Sequence, residues 1–346
     1  MSDTAELWPA AYPKTGASAL LKASPEDFEV EEILGFDPDG TGEHLLIRVR
    51  KCGLNTSDVA KRLAEHLGLH PRDVSWAGRK DKHAVAFQSF SIHWPEEELP
   101  EIAVLESEEL QLLDLARHKR KLRPGYNRGN RFRLRLRNVQ GDDAVLEQRL
   151  KLIAEQGVPN YFGQQRFGRE ARNIEAAREM LARGNLRRVP HNRRSMLLSA
   201  ARSYLFNRVL AERVNAGHWN RLLPGELVML EGSRSFFLAD APTPELQGRL
   251  LAHDISPSGP LPGLIKKDAP TGEALTVEQA ALTDESELVH GLIDAGVLAA
   301  RRSLRLIPKD LEWHREEGDL LLEFELPSGA FATTLISELV RVEPGN

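Results

Sequence analysis

The heptapeptide RFRLRLR, Arg131–Arg137, alternates without a break: Phe132, Leu134 and Leu136 take one parity, Arg131, Arg133, Arg135 and Arg137 the other. On a helix the three apolar residues would spread around the axis. On a strand successive side chains leave opposite faces, and the pattern resolves into one apolar and one cationic face. The segment therefore predicts a β-strand with an apolar core face and an outer face made of arginine. The same parity marks HLLIRVR (His44–Arg50), through Leu45, Ile47 and Val49, and LLLEFEL, through Leu320, Leu322, Phe324 and Leu326. HAVAFQSFSI (His83–Ile92) is apolar on both faces, as a central, doubly covered strand would be.

Helical segments separate these strands. NTSDVAKRLAEHLG offers Thr56 or Ser57 as N-cap, Val59, Leu63 and Leu67 as an apolar stripe, and Gly68 just past the end. A second helix is expected from about Asp143 to Gln156, stopped by Gly157, before the turn residues of VPNYFG. From Tyr161 to about Ala300 the texture becomes mainly helical, with a short β-rich piece at Gly225–Asp240 and a Pro/Gly loop at Ser256–Gly263. Alternation returns after Arg301, and Phe331, Leu335 and Leu339 share one face of a last helix. A chain of 346 residues exceeds one comfortable core, so the C-terminal strands are expected to complete the first sheet around an inserted middle.

Charge is segregated along the chain. The net formal charge is -5, yet Arg117–Arg137 holds ten Lys/Arg and no acid, and Arg166–Arg194 holds nine arginines against three glutamates. Acids gather instead at Pro95–Leu110 and Glu312–Glu325. This suits a polyanion docking on one face, with a solvated salt-bridge surface as the plainer alternative. Cys52 is the single cysteine, which excludes an internal disulfide, a thiolate zinc cage and an iron–sulfur cluster. No run approaches the roughly 18 to 20 apolar residues of a membrane span, and MSDTAELWPAAYPK lacks a signal-peptide layout, so a cytoplasmic protein is expected.

The chemical signals narrow to carboxylate chemistry. His66 and His70 stand four apart, but no Glu follows His66 and Gly68 falls between them, so no metal site is expected. No phosphate-binding glycine loop, dinucleotide turn, nucleophile elbow or Cys–His pairing occurs, and no cofactor is expected. What stands out is Asp81, one acid among Arg79, Lys80, Lys82 and His83 at a strand entrance. Neighbouring cations would hold it below the usual carboxylate pKa of about 3.9, ready to act as nucleophile or base. The same spacing also fits a surface ion pair. Asn130, in NRGNRF, offers an amide that could read a pyrimidine edge or could simply make a turn. Phe28 and Phe331 could stack on a base or pack in a core.

Six segments, taken in order, resemble the tRNA pseudouridine synthase D (TruD) family: LLKASPEDFEVEE (Leu20–Glu32), GLNTSDVAKRLA (Gly53–Ala64), AGRKDKHAVAFQSFSI (Ala77–Ile92), GNRFRLRLRNV (Gly129–Val139), NYFGQQRFG (Asn160–Gly168) and LPSGAFATTLISELV (Leu326–Val340). The resemblance implies isomerisation of uridine to pseudouridine in tRNA, at position 13, without cofactor or metal and with no obligatory protein partner. It implies an α/β (α+β) fold with a mixed, mostly antiparallel sheet and flanking helices. The catalytic domain would comprise residues 1–160 plus 305–346, interrupted by a mainly helical insertion at 161–304. By motif, Asp81 is the nucleophile, and Phe28, Asn130 and Phe331 contact the target nucleotide. Lys22, Gly163, Gln165, Arg166 and Phe167 lie in matching motifs, and Arg79, Lys80 and Lys82 support Asp81. Within its matching segment the Arg131–Arg137 charge run is peculiar to this sequence and is expected to tune RNA affinity rather than chemistry. A non-catalytic RNA-binding protein or RNA chaperone using the basic face, and a carboxylate-dependent RNA hydrolase, are the alternatives.

Overall fold

The structure, a computed structural model, describes residues 8–184 and 186–343; the first seven residues of the N-terminal stretch assessed for a signal sequence lie outside them. The chain opens with β1 (Ser18–Leu21), β2 (Phe28–Ile33), β3 (His44–Lys51), α1 (Thr56–His66), β4 (Ser75–Trp76), β5 (Val85–His93), β6 (Leu110–His118) and β7 (Gly129–Gln140). It continues through α2 (Asp143–Gln156), β8 (Val158–Pro159), α3 (Arg172–Ala182), α4 (His191–Asn215), β9 (Glu226–Leu230), β10 (Phe236–Ala239), α5 (Pro244–Leu251), β11 (Ile255–Leu261), α6 (Gly272–Leu282), α7 (Ser286–Asp294), β12 (Ala300–Ser303) and β13 (Arg305–Leu306). It ends with β14 (Lys309–Glu316), β15 (Asp319–Pro327), α8 (Ala332–Leu339) and β16 (Arg341–Glu343). Among the described residues no helix is long and apolar enough to cross a membrane.

Two compact units result. A sheet unit takes Gly16–Asp142, Pro308–Gly329 and Arg341–Asn346; a helical unit takes Met1–Thr15, Asp143–Ile307 and Ala330–Val340. The C-terminal hairpin β14–β15 does complete the first sheet, as its alternation suggests. The unit boundaries, however, do not follow the change of texture at 160/161. Helix α2 buries Leu146, Leu150 and Ile153, and its buried Arg149 donates to the main-chain carbonyl of Glu338 in α8. Both helices accordingly belong to the helical unit. Ser303–Ile307 of the SLRLIP segment also sort there, with Ser303 in β12 and Arg305–Leu306 forming β13, and do not extend the large sheet.

In the sheet unit the strand order is β14-β15-β7-β2-β5-β3-β6, with β1 attached to β7, β16 to β1, and β4 to β5. Only β2/β5 and β1/β16 run parallel. Phe132, Leu134 and Leu136 of β7 are buried, and Phe132 stacks on Phe324 across the β7–β15 ladder with ring centroids 5.5 Å apart. β5 lies inside the sheet and is covered on both faces, which explains its unbroken apolar character. Helix α1 lays Val59, Ala60 and Leu63 on Leu45, Ile47 and Phe90; burying each larger apolar side chain contributes about 1.5–3 kcal/mol. Its N-cap is Asn55, whose amide nitrogen donates to Asp58 at 2.9 Å. Thr56, an expected cap, is buried and bonded elsewhere.

In the helical unit α4 runs through the core, burying Leu205, Phe206, Val209 and Leu210. A four-stranded sheet has the order β10-β9-β11-β12. Here the expected Pro/Gly loop at Ser256–Gly263 is largely a strand, β11, and it occupies an interior position. Proline removes a donor but keeps an acceptor, and the Pro257 carbonyl takes the Leu304 amide at 2.9 Å. Turn composition misled because the prolines fall where the ladder needs no N–H.

Candidate active site

Asp81 sits on the segment between β4 and β5, which has no regular structure of its own and is fastened from below. Lys51, at the end of β3, is fully buried; its Nζ donates to the main-chain carbonyls of Leu54 and Asp81, each at 2.8 Å. Gly53 donates its amide to the Lys82 carbonyl at 3.1 Å. The Lys80 amide bonds Thr56 Oγ1 at 3.0 Å, Thr56 bonds Gln88 Oε1 at 3.0 Å, and Gln88 Nε2 reaches the Gly78 carbonyl at 2.6 Å. Burial pushes the Lys51 ammonium down to about 8, opposed by the negative charge of Asp81. Sequence reasoning passed over Lys51 because a lysine closing a strand reads as an edge charge; only the packing shows where its amine goes.

The carboxylate itself is half-buried. One oxygen takes the Lys22 ammonium in direct ion-pair contact, and the other accepts the His83 amide at 3.0 Å. Burial alone would raise the Asp81 pKa, but the Lys22 hydrogen bond, the His83 amide and the Lys22 charge together hold it below the ordinary carboxylate value. The main cation that keeps Asp81 ionised thus comes from just past β1, and among its chain neighbours His83 adds a smaller effect. Lys80 turns inward to Glu32 at 2.8 Å, both side chains nearly inaccessible, and Glu32 also accepts the Ser89 amide. Arg79 and Lys82 are exposed and carry no ion pair among the described residues. Lys22 has φ +61°, a left-handed value rare for a lysine, and this directs its chain to Asp81.

Two more expected residues belong to this unit. Phe28 begins β2, buried edge-on against Phe132, and the Lys22 ammonium lies 4.1 Å from its ring centroid. Asn130, near the start of β7, is paired in register with Glu32 and Leu326, and its Oδ1 is buried without a hydrogen-bond partner. A buried amide oxygen left unsatisfied costs about 1–3 kcal/mol, so a donor is owed to it.

The helical unit holds the other motif residues. Gln164–Phe167 form one 3₁₀ turn: Phe167 packs in the core with Tyr161 and Phe162, Gln165 is exposed, and Arg166 lies partly covered with its Nε buried and unpartnered. The Arg166 and Arg302 guanidinium carbons stand 5.4 and 4.0 Å from the centroid of Phe162, and burial pushes both pKa values down. Phe331, the N-cap position of α8, is 6.4 Å from Phe162 between centroids. A Cβ added to Gly163 would lie 3.0 Å from the Phe331 ring, so glycine is what allows the ring to sit there.

The arginine face of β7 is not free. Arg131 pairs with Glu325 at 2.7 Å, Arg133 with Glu29 at 2.6 Å and Glu323 at 3.2 Å, Arg135 with Asp319 at 2.6 Å, and Arg137 with Asp27 at 2.7 Å. Glu29 and Glu323 lie directly opposite Arg133 on the two flanking strands, and Glu31 and Glu325 opposite Arg131. The outer face expected to be cationic is therefore a ladder of alternating sign. Arg117 is also committed, donating to the carbonyls of Gly42, Trp94, Glu96 and Glu97.

The sheet unit thus presents one ionised, internally anchored aspartate and, on β7, an amide oxygen without a donor, and the comparisons with known proteins say what class of protein carries them. The family model described as tRNA pseudouridine synthase D (TruD) matches residues 10–188 and 174–339. A tRNA pseudouridine synthase D of Xanthomonas axonopodis pv. citri is 46% identical, the match covering 98% of this chain and 95% of that protein. The one from Aeromonas hydrophila subsp. hydrophila is 46% identical over 94% of this chain and 92% of its own. A crystal structure from Methanosarcina mazei, provisionally assigned to TruD, superposes with a TM-score of 0.74 at 23% identity, covering 97% of this chain and 96% of that one, and so shares its fold. The chain belongs to the tRNA pseudouridine synthase D (TruD) family.

Proposed function

We propose that the protein isomerises uridine to pseudouridine in tRNA, at position 13, with Asp81 as the acting carboxylate. The observation that carries this reading is the state of Asp81: ionised by Lys22, half-exposed, and held by its own backbone on the buried ammonium of Lys51. In the reaction the N1–C1′ bond breaks, the uracil turns, and C5 bonds to C1′ while its hydrogen leaves as a proton. Asp81 begins as the anion in either route, adding to C1′ to give an ester or removing the C2′ proton to give a glycal. Asn130 supplies an acceptor suited to the uracil N3–H, and Phe28 an aromatic edge for the base. Phe331 is a further nucleotide contact in this reading. Because the glycosidic bond is enclosed in a stacked nucleotide, the uridine is extruded before it reacts.

The test is tritium release from tRNA carrying 5-tritiated uridine. The full chain should release tritium, and Asp81→Asn should lower the rate by at least about 10³-fold while RNA is still bound. Release by Asp81→Asn at the wild-type rate overturns the assignment of Asp81. Binding without release by the native protein would make it an RNA-binding protein, and strand cleavage a hydrolase.

A further inference from the structure

We infer that the loop between β6 and β7, residues 119–128, is the surface on which the tRNA backbone docks, with Tyr126 as a stacking face. This rests on the tRNA reading above and narrows it to one element. Lys119, Arg120, Lys121, Arg123 and Arg128 are all exposed, and none of their side chains has a hydrogen-bond or ion-pair partner among the described residues. A nearby carboxylate, Asp39, lies 2.8 Å from His118 Nδ1 and accepts the Lys119 peptide N–H at 3.0 Å; the Lys119 and Arg120 charges act on it from a distance, but neither side chain bonds it. Five cations in ten residues repel one another, with one carboxylate, Asp39, acting on two of them, and a chain of net charge -5 has acids enough to have matched them all. The adjoining strand shows that this chain does match arginines with acids where the sheet requires it.

The loop is also well placed and rigid. Leu122 is buried, its amide on Ser91 Oγ at 3.2 Å; the Gly125 amide bonds the Ala77 carbonyl at 2.7 Å; the Arg128 amide bonds the Ile33 carbonyl at 2.8 Å. Ala77 lies on the segment that leads to Asp81, and the loop itself runs into Asn130. Arg79 and Lys82 continue the unpaired charge onto the Asp81 segment. Tyr126 is 38% exposed and is propped edge-on by Phe36 at 6.0 Å between centroids. Exposed cations carried on an anchored loop backbone, with an aromatic ring among them, match a single RNA strand on either side of an extruded nucleotide.

Equilibrium binding of an unmodified tRNA transcript to the full chain, followed across KCl concentration, tests this. The combined variant Lys119→Gln, Arg120→Gln, Lys121→Gln and Arg123→Gln should flatten the log Kd against log salt slope by about 2 to 3 and weaken binding about 10²-fold at moderate salt. Tyr126→Ala should weaken binding about tenfold at unchanged slope, and Tyr126→Phe should restore it. An unchanged slope in the fourfold variant, or an equal flattening from Arg133→Gln alone, overturns the docking surface. Tritium release with an unchanged slope would refute the surface and leave the isomerase; a flattened slope without any release by the native chain would refute the isomerase and leave the surface.

Discussion

The sheet unit contains two places where acids meet cations, and they are built differently. Along β7 every arginine of the alternating run faces a carboxylate from a flanking strand or turn, several of them shared; the guanidinium groups are partly solvated, while Asp27 and Asp319 are buried beneath them. At Asp81 one ammonium answers one carboxylate in a half-buried position, the neighbouring Lys80 is drawn off to Glu32, and the Asn130 oxygen is left with no donor. An ion-pair array made for stability uses up its partners. The Asp81 region keeps a remainder, which the proposed function assigns to the substrate, and that remainder, not the density of charge, separates the two.

The largest effect that would sharpen this contrast is expected from Lys22→Met. Burial raises a carboxylate pKa, and Lys22 is what outweighs it at Asp81. Without the ammonium the acid limb of the kcat profile should move upward in pH, because Asp81 would take up its proton sooner, and kcat near neutral pH should fall by about 10²-fold. An acid limb that stays in place would put Lys22 with the structural pairs. Next comes Lys51→Met, which removes the donor to the Asp81 carbonyl without touching the carboxylate. It should lower kcat about tenfold with little change in KM, the signature of a misplaced group rather than a lost substrate contact. A change confined to KM would show that Lys51 does not position Asp81.

Much of the frame was legible in the sequence. Period-2 alternation is a local property of the chain, so β3, β7 and β15 could be read from their own residues, and the doubly apolar β5 declared itself central. Asp81, Phe28 and Asn130 lie in segments whose wording carries the family, and Phe331 does too. What the sequence withheld was pairing. Arg131–Arg137 and Lys119–Arg128 read as one basic run, yet register sets Glu29 and Glu323 beside Arg133 while no sheet partner is set beside Arg123. Lys51 and Lys22 meet the Asp81 segment only through tertiary contacts 30 and 59 residues away in the chain. The SPSGPLPG strand is hidden because proline and glycine are turn residues by composition, although the Pro257 carbonyl still accepts the Leu304 amide.

The smallest expected effect lies on the ladder. Arg133 is exposed and stands between two glutamates, so Arg133→Gln should cost only about 0–1 kcal/mol in urea unfolding. Tritium release and the salt slope of tRNA binding should stay as they are. The acid dependence should show the ladder more clearly than the mutation does. Burial would raise the Asp27 pKa, but Arg137 and the Ser24 amide bring it below its ordinary value, and Arg135 and the Asn138 amide do the same for Asp319. A carboxylate with a lowered native pKa contributes stability that is complete above its unfolded pKa of about 4 and is lost as pH falls through the native value. Unfolding free energy should therefore hold level from neutral pH to about 5 and decline below 4, with a shallower decline in Arg137→Met. If Arg137→Met leaves the decline unaltered, or if Arg133→Gln flattens the salt slope, the arginine strand is not the self-satisfied array that sets it apart from the Asp81 segment.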